Sequence, residues 1–369
     1  MAGAGAAGLA VASALLSRGI DPLVLEREQT IALPWERRYE SLRLNTPRGL
    51  SYLPGYRMPR RYGRWPGRAD VVEYLREYRR RLGLRVEFGT EVRRVDREGD
   101  GWLVSGSTGD VRARCIAVTT GHDAHELIPP WPGKEGFEGE LIHSAAYREP
   151  SPYHGRDVLV VSAANSGSEI AFELSRGVAS RVRVAMRTPP PIAPREYRGF
   201  PLMYSALPLE PLPDRIGDLA TRALRRLLYN DLSTHGLLPS PYGIQTQARR
   251  RHRSTLIDAG FVDAVRSGEI EIVAAVEGLD GREVVLADGA RVEPDVVIAA
   301  TGFDTNLPEL VGHLGVIDER GYPAVEQGAD HPLAPGLFFS GYWASMIGQL
   351  AHMRRDARAI AGRIARYLT

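Results

Sequence analysis

The residues whose types and spacing could do chemistry begin at the very start of the chain, where Gly3, Gly5 and Gly8 form a GxGxxG turn inside "MAGAGAAGLA". Such a turn brings backbone N–H groups and a helix N-terminus up to a dinucleotide pyrophosphate, because glycine removes the Cβ atoms that would hold the phosphates off. The segment "LAVASALLSRG" follows with helical apolar spacing and stops at Gly19, and the short apolar strand "PLVLE" ends in Glu26. A carboxylate about 20 positions beyond the first glycine accepts hydrogen bonds from an adenosine ribose diol. Glycines, helix, strand and acid in this order predict a nucleotide site. Only Met1 and Ala2 precede the turn, so most of its first strand is missing. A central parallel strand buries about five apolar residues at roughly 1.5–3 kcal/mol each, and the expectation is that the natural protein begins upstream with such a strand.

A second turn follows the apolar run Val158 to Val161, but it reads SxAxxG: Ser162 and Ala164 stand where glycines are expected, and only Gly167 remains. The added atoms predict a penalty of roughly 1–3 kcal/mol, about 5- to 150-fold in affinity, if the backbone cannot relax. Asn165, Ser166 and the helix N-terminus remain to hold phosphates. The next strand, "RVRVAMR", ends at Arg187, in the place expected to match Glu26. A cation there pairs with a 2′-phosphate and predicts NADPH over NADH. Two such units suggest an enzyme that uses FAD and NADPH.

The elements that must position these turns are read from the rest of the chain. The 369 residues, 43% hydrophobic, suffice for one large or two medium domains. A net charge of +2 and the lack of any unbalanced basic block except "RRRHR" at 249–253 point away from nucleic acid. The single cysteine, Cys115, excludes an intrachain disulfide, a dithiol pair and a cysteine metal cluster. That fits a cytoplasmic protein; the apolar start has no positive region before it, and no run reaches the roughly 20 apolar residues of a membrane span. The stretch from Leu33 to Pro59, rich in Pro, Gly and aromatics, reads as pocket-lining loops, followed by a helix, "RADVVEYLREYRRRLG", and strand-like pieces that return to "TTG" at 119–121.

Between the two units, Phe137, Gly139, His143 and Tyr147 spell FxGxxxHxxxY. With GAGAAG at 3–8, "WERRY" from Trp35, "LRLNTP", "TTG", "NSGSEIA" at 165–171, "ATGF" at 300–303 and "GLFFSGY", the chain resembles the class B flavin monooxygenases, the group of flavin-containing and plant YUCCA-type enzymes, over nearly its whole length. The resemblance implies that Asn45, in "LRLNTP", is the catalytic asparagine that supports the oxygenated flavin, a flavin hydroperoxide, beside bound NADP. It implies that His143 supports the NADP site, and that Trp35, Thr120, Gly121, Thr301, Gly302 and Gly341 belong to the cofactor-binding set. Baeyer–Villiger relatives carry Trp where this chain has Tyr147, which tilts the expected reaction toward heteroatom or carbon hydroxylation.

The expected fold is α/β, with two dinucleotide-binding Rossmann-like domains: a discontinuous FAD domain at 1–135 and 285–369, and an NADPH domain at 136–284. The expected activity is insertion of one oxygen atom from O2 into a small molecule, with amines and sulfides ahead of a keto acid. Expected partners are that substrate and O2, without metal, nucleic acid or membrane, and with a homodimer left open. A cysteine-free FAD/NAD(P)H reductase and a degenerate nucleotide-binding flavoprotein are the alternatives.

Overall fold

The computed structural model describes every residue except 230, 252 and 254; His252, the fourth residue of the basic run, lies outside the described residues. Two parallel sheets of matching layout, differing in whether the edge strand precedes or follows the rest in the chain, carry the two nucleotide turns. In the second, Glu271–Val273, Arg181–Ala185, Asp157–Val161, Val296–Ala299 and Glu140–His143 lie side by side in that order. Val158, Leu159 and Val160 at its centre are fully buried, as strands covered on both faces require.

The first sheet repeats this layout with Val86–Phe88, Val24–Glu26, the Met1–Gly3 segment, Ile116–Val118 and Leu337–Phe339. The central place is held by one bridging residue. Ala2 N–H donates to Ala117 O (3.0 Å) and Gly3 N–H to Leu25 O (2.8 Å), while Leu25 N–H reaches Met1 O (2.9 Å) and Thr119 N–H reaches Ala2 O (2.8 Å). The short segment thus satisfies ladder groups on both neighbours.

The first nucleotide helix, Ala6–Leu16, is buried almost all round; its small residues let it lie against the C-terminal helix, Gln349–Leu368. An antiparallel meander precedes the last strand of each βα unit: Val92–Glu98, Gly101–Gly106 and Gly109–Ala113 in the first, and Val276–Asp280, Glu283–Leu286 and Arg291–Val292 in the second.

One expected boundary is corrected. Val296–Ala299, assigned from sequence to the returning FAD domain, pairs with Asp157–Val161 in the second sheet. Its run of four buried apolar residues fits either sheet equally well, so only the pairing decides. Among the described residues no helix is long and apolar enough to cross a membrane.

The C-terminal helix buries Asp356 at 3% exposure, with Ser340 Oγ donating at 3.4 Å and His352 Nε2 lying 3.5 Å away. Burial pushes its carboxyl up to about 7 and lowers His352, so the neighbouring imidazole brings no positive charge. Because the folded state holds this proton more tightly than the unfolded chain, the stability it confers is full below about pH 4 and is lost as pH rises to about 7. Asp356→Asn should therefore stabilise the fold by a few kcal/mol at pH 8 and by clearly less at pH 5, since each tenfold difference in proton affinity between folded and unfolded chain is worth about 1.4 kcal/mol. Urea denaturation at the two pH values measures this; a gain of equal size at both would contradict it.

Candidate active site between two nucleotide turns

Both turns have the same backbone. Gly3 sits at φ +98° and Ser162 at φ +87°, and their N–H groups donate to Leu25 O (2.8 Å) and Ala185 O (2.9 Å). A Cβ on Gly8 would stand 2.1 Å from Gly3 O, and one on Gly167 2.0 Å from Ser162 O. The third glycine is therefore demanded in each unit by the helix crossing its own strand. A Cβ on Gly5, by contrast, meets nothing within 4 Å. Gly5 and Ala164, the residues before the two helices, have extended backbones, and neither helix has a capping side chain or an acid in its first turn. The first N–H groups of both helices are thus left for an anion. The long surface helix Arg68–Leu82 differs: Asp70 returns to the Gly67 N–H at 2.8 Å. Two open, uncapped helix ends fit two pyrophosphates.

Glu26 pins the first turn, its Oε2 accepting from Ala4 N–H at 2.6 Å and its Oε1 from Glu28 N–H at 3.0 Å. Strand register corrects its expected counterpart. Ala2 bridges Leu25 and Val161 pairs with Ala185, so Met186 takes the place of Glu26, and the exposed Arg187 comes one position later, as Arg27 does in the first unit. The loops before the two strands differ in length, which counting along the chain cannot show. Asn165 is turned aside, its Oδ1 accepting from Ile257 N–H at 2.8 Å, and Ser166 is half-buried beside it.

The two sheets end alike. Thr119 Oγ1 bonds the carbonyls of Ala2 and Gly3, both at 2.8 Å, while Thr120 Oγ1 meets Asn306 Oδ1 and the Tyr342 hydroxyl, both at 2.8 Å. Thr301 Oγ1 donates to Leu127 O. Gly121 (φ +82°) and Gly302 (φ +91°) make the matching turns, with open space where a Cβ would point.

The FxGxxxHxxxY residues brace this junction. Ala145 N–H donates to His143 Nδ1 at 3.2 Å, which leaves the proton on Nε2 to donate to Gly302 O at 3.0 Å. Burial lowers the His143 pKa and keeps the ring neutral; its edge meets Phe303 at 4.8 Å. A Cβ on Gly139 would come within 2.6 Å of the Phe137 ring. Tyr147 stacks on Tyr153 at 5.4 Å and donates to Glu173 Oε2 at 2.9 Å.

Asn45 lies where the units meet. Its Nδ2 donates to Glu169 Oε1 at 2.7 Å, and its buried Oδ1 has no hydrogen-bond partner. The other oxygen of Glu169 accepts from Tyr39 OH at 2.5 Å, and Ser41 donates to Glu173 at 2.8 Å. Nearby, Gly348 at φ +94° packs against Thr46, and Gly341 at φ +95° leaves room for Ala7 at the start of the first helix. Trp35 is half-buried against the first core. Glu169, Glu173, Tyr39 and Arg38, which pairs with Asp123 and lies over Phe303, went unnoticed in the sequence. The available signal was two carboxylates one turn apart on the otherwise small and apolar helix "NSGSEIAFELS".

The model of the flavin-binding monooxygenase-like family matches residues 1–319. The chain belongs to this family. It is 30% identical over 330 residues to a probable indole-3-pyruvate monooxygenase of Arabidopsis thaliana, YUCCA9, covering 87% of this chain and 78% of that protein. It is 31% identical over 323 residues to the indole-3-pyruvate monooxygenase YUCCA1 of Oryza sativa subsp. japonica, covering 86% and 79%. A double mutant of the flavin monooxygenase from Stenotrophomonas maltophilia superposes with a TM-score of 0.76 at 26% identity, over 100% of this chain and 98% of that one. This chain is a flavin-binding monooxygenase acting on small molecules.

Ser162 holds a left-handed backbone that costs a non-glycine residue roughly 1–2 kcal/mol, against about 0.5–1 kcal/mol of extra chain entropy that glycine loses on folding. Ser162→Gly should therefore raise the stability of the ligand-free protein by up to about 1 kcal/mol. Ala164, at φ −71°, carries no such strain, and Ala164→Gly should only tighten NADP+. Urea denaturation and NADP+ titration of the single and double variants separate these effects; a Ser162→Gly protein less stable than its parent would refute the strain.

Proposed function

We propose that this monooxygenase holds FAD on the turn of Gly3, Gly5 and Gly8 and NADPH on the turn of Ser162, Ala164 and Gly167, and oxygenates its substrate beside Asn45. The observation that carries this reading is the junction itself: the loop bearing Asn45 leaves the first unit and is bonded to Glu169, in the helix that opens from the second turn. Glu26 would receive the flavin's adenosine ribose, and Arg187 the 2′-phosphate of NADPH. The FAD unit would comprise 1–135 and the segment after about 303, and the NADPH unit 136–302, following the strand pairing.

Bound flavin supplies the electron transfer and oxygen activation. The chain's own part is to hold two dinucleotides against two helix ends, keep a neutral His143 behind the Gly302 turn and present the Asn45 amide in a buried junction. For substrate we propose a small 2-oxo acid, the class named in the curated relatives, ahead of amines and sulfides. One oxygen of O2 would enter the product acid and the other leave in water. NADPH provides two electrons, and the substrate carboxyl departs as CO2.

Arg187→Ala should weaken NADPH by about 10- to 100-fold, the worth of a charge-assisted hydrogen bond, and leave NADH almost unchanged. Equal losses for both cofactors would remove Arg187 from the site. NADPH consumption and CO2 release across a panel of aryl 2-oxo acids, tertiary amines and sulfides test the substrate class; turnover confined to amines or sulfides would overturn it.

A further inference from the structure

We propose that Glu169 is a positioning residue for oxygenation: it fixes which way the Asn45 amide faces, holding the N–H side and leaving Oδ1 as the acceptor that a bound cofactor meets. This rests on the reading of Asn45 given above and extends it to a residue on the opposite unit.

The geometry permits one orientation. Both oxygens of Glu169 accept, Oε1 from Asn45 Nδ2 at 2.7 Å and Oε2 from Tyr39 OH at 2.5 Å. Turning the amide over would set Oδ1 against Oε1 and replace the N–H···O bond seen here by two facing oxygens. The network thus determines the amide orientation.

What remains is a buried acceptor without a donor, Asn45 Oδ1. Buried polar atoms are almost always paired, so this oxygen marks where a ligand brings an N–H or O–H group. A nicotinamide carboxamide and a ribose hydroxyl both offer one. Burial and the neighbouring Glu173 push the Glu169 carboxyl upward, while the Tyr39 and Asn45 donors and the Arg195 cation hold it down. These donors and this cation oppose the cost of burial, and the net direction remains upward.

Helix Asn165–Ser175 supplies its own control. One turn on, Glu173 also joins the two parts of the junction, through Ser41 and Tyr147, but does not touch Asn45. A residue that merely clamps the units would behave as Glu173 does.

The experiment uses the flavin-loaded enzyme and its Glu169→Gln, Glu173→Gln, Asn45→Ala and Asn45→Ala/Glu169→Gln variants. NADP+ affinity is read from the flavin absorbance, release of H2O2 per NADPH consumed gives the uncoupled share, and a thermal melt reports folding. Glu169→Gln, whose amide can donate to Oδ1 and so release the fixed orientation, should weaken NADP+ by about tenfold, the worth of one charge-assisted hydrogen bond, and raise the H2O2 share. Glu173→Gln should change both by less than about twofold. The double variant should bind NADP+ no more weakly than Asn45→Ala alone, since Glu169 acts through Asn45. Should Glu169→Gln not retain flavin, Glu169→Asp, which withdraws the carboxylate from Asn45, takes its place with the same expected result. Normal NADP+ binding and coupling in the Glu169 variants beside an impaired Asn45→Ala would overturn the positioning role and leave the Asn45 reading standing. An Asn45→Ala enzyme indistinguishable from the parent would overturn the Asn45 reading itself. Equal losses in the Glu169 and Glu173 variants would reduce Glu169 to a clamp and overturn the proposal.

Discussion

Everything in this protein depends on how closely a helix can cross the strand that leads into it. At Gly8 and at Gly167 a single added carbon would lie 2.1 and 2.0 Å from the carbonyl of the turn, well inside contact distance. Only with those carbons absent do the helix ends, uncapped by any side chain, come to rest at the rims of their sheets. The N–H groups of an uncapped helix end are open to an anion. The same close approach that shapes the fold therefore also leaves two helix ends free to meet an anionic ligand.

That constraint is met twice, with the same order of the four strands nearest the turn and with matching Thr-Gly turns at the last strand of each βα unit. The second occurrence tolerates Ser162 where the first has Gly3, because the backbone takes the left-handed turn in both, at φ +87° and +98°. Strain is accepted and the turn geometry kept. The two units then meet through polar contacts, where Tyr39, Ser41 and Asn45 reach across to Glu169 and Glu173. Such a junction binds the loop that carries Asn45 to the helix that follows the second turn, so the position of that asparagine depends on both units at once.

The alternative of a disulfide-type reductase loses its chemistry at Cys115. It is the chain's only cysteine, and burial raises its thiol pKa, so it is neither half of a dithiol nor an activated thiolate. The ionisable groups gathered at the junction are instead two carboxyl groups with hydroxyl and amide donors, the Arg195 cation and a histidine kept uncharged. Such groups orient and exclude water; they do not exchange disulfides.

The sequence by itself determined what is local. The glycine turns, the helices they open, Glu26 and the FxGxxxHxxxY brace were all legible, because a close backbone approach restricts residue type within a few positions. Three things were decided only by the tertiary structure. Val296–Ala299 reads as a buried strand that either sheet would accept, and its place came from its pairing with Asp157–Val161. Met186, rather than Arg187, matches Glu26, because register follows hydrogen bonds and ignores loop length. Asn45 and Glu169 stand 124 positions apart, and no local pattern encodes a contact between them. Their meeting follows from how two folded units close on each other, so that the Glu169 carboxyl accepts from the Tyr39 phenol and the Asn45 amide at once.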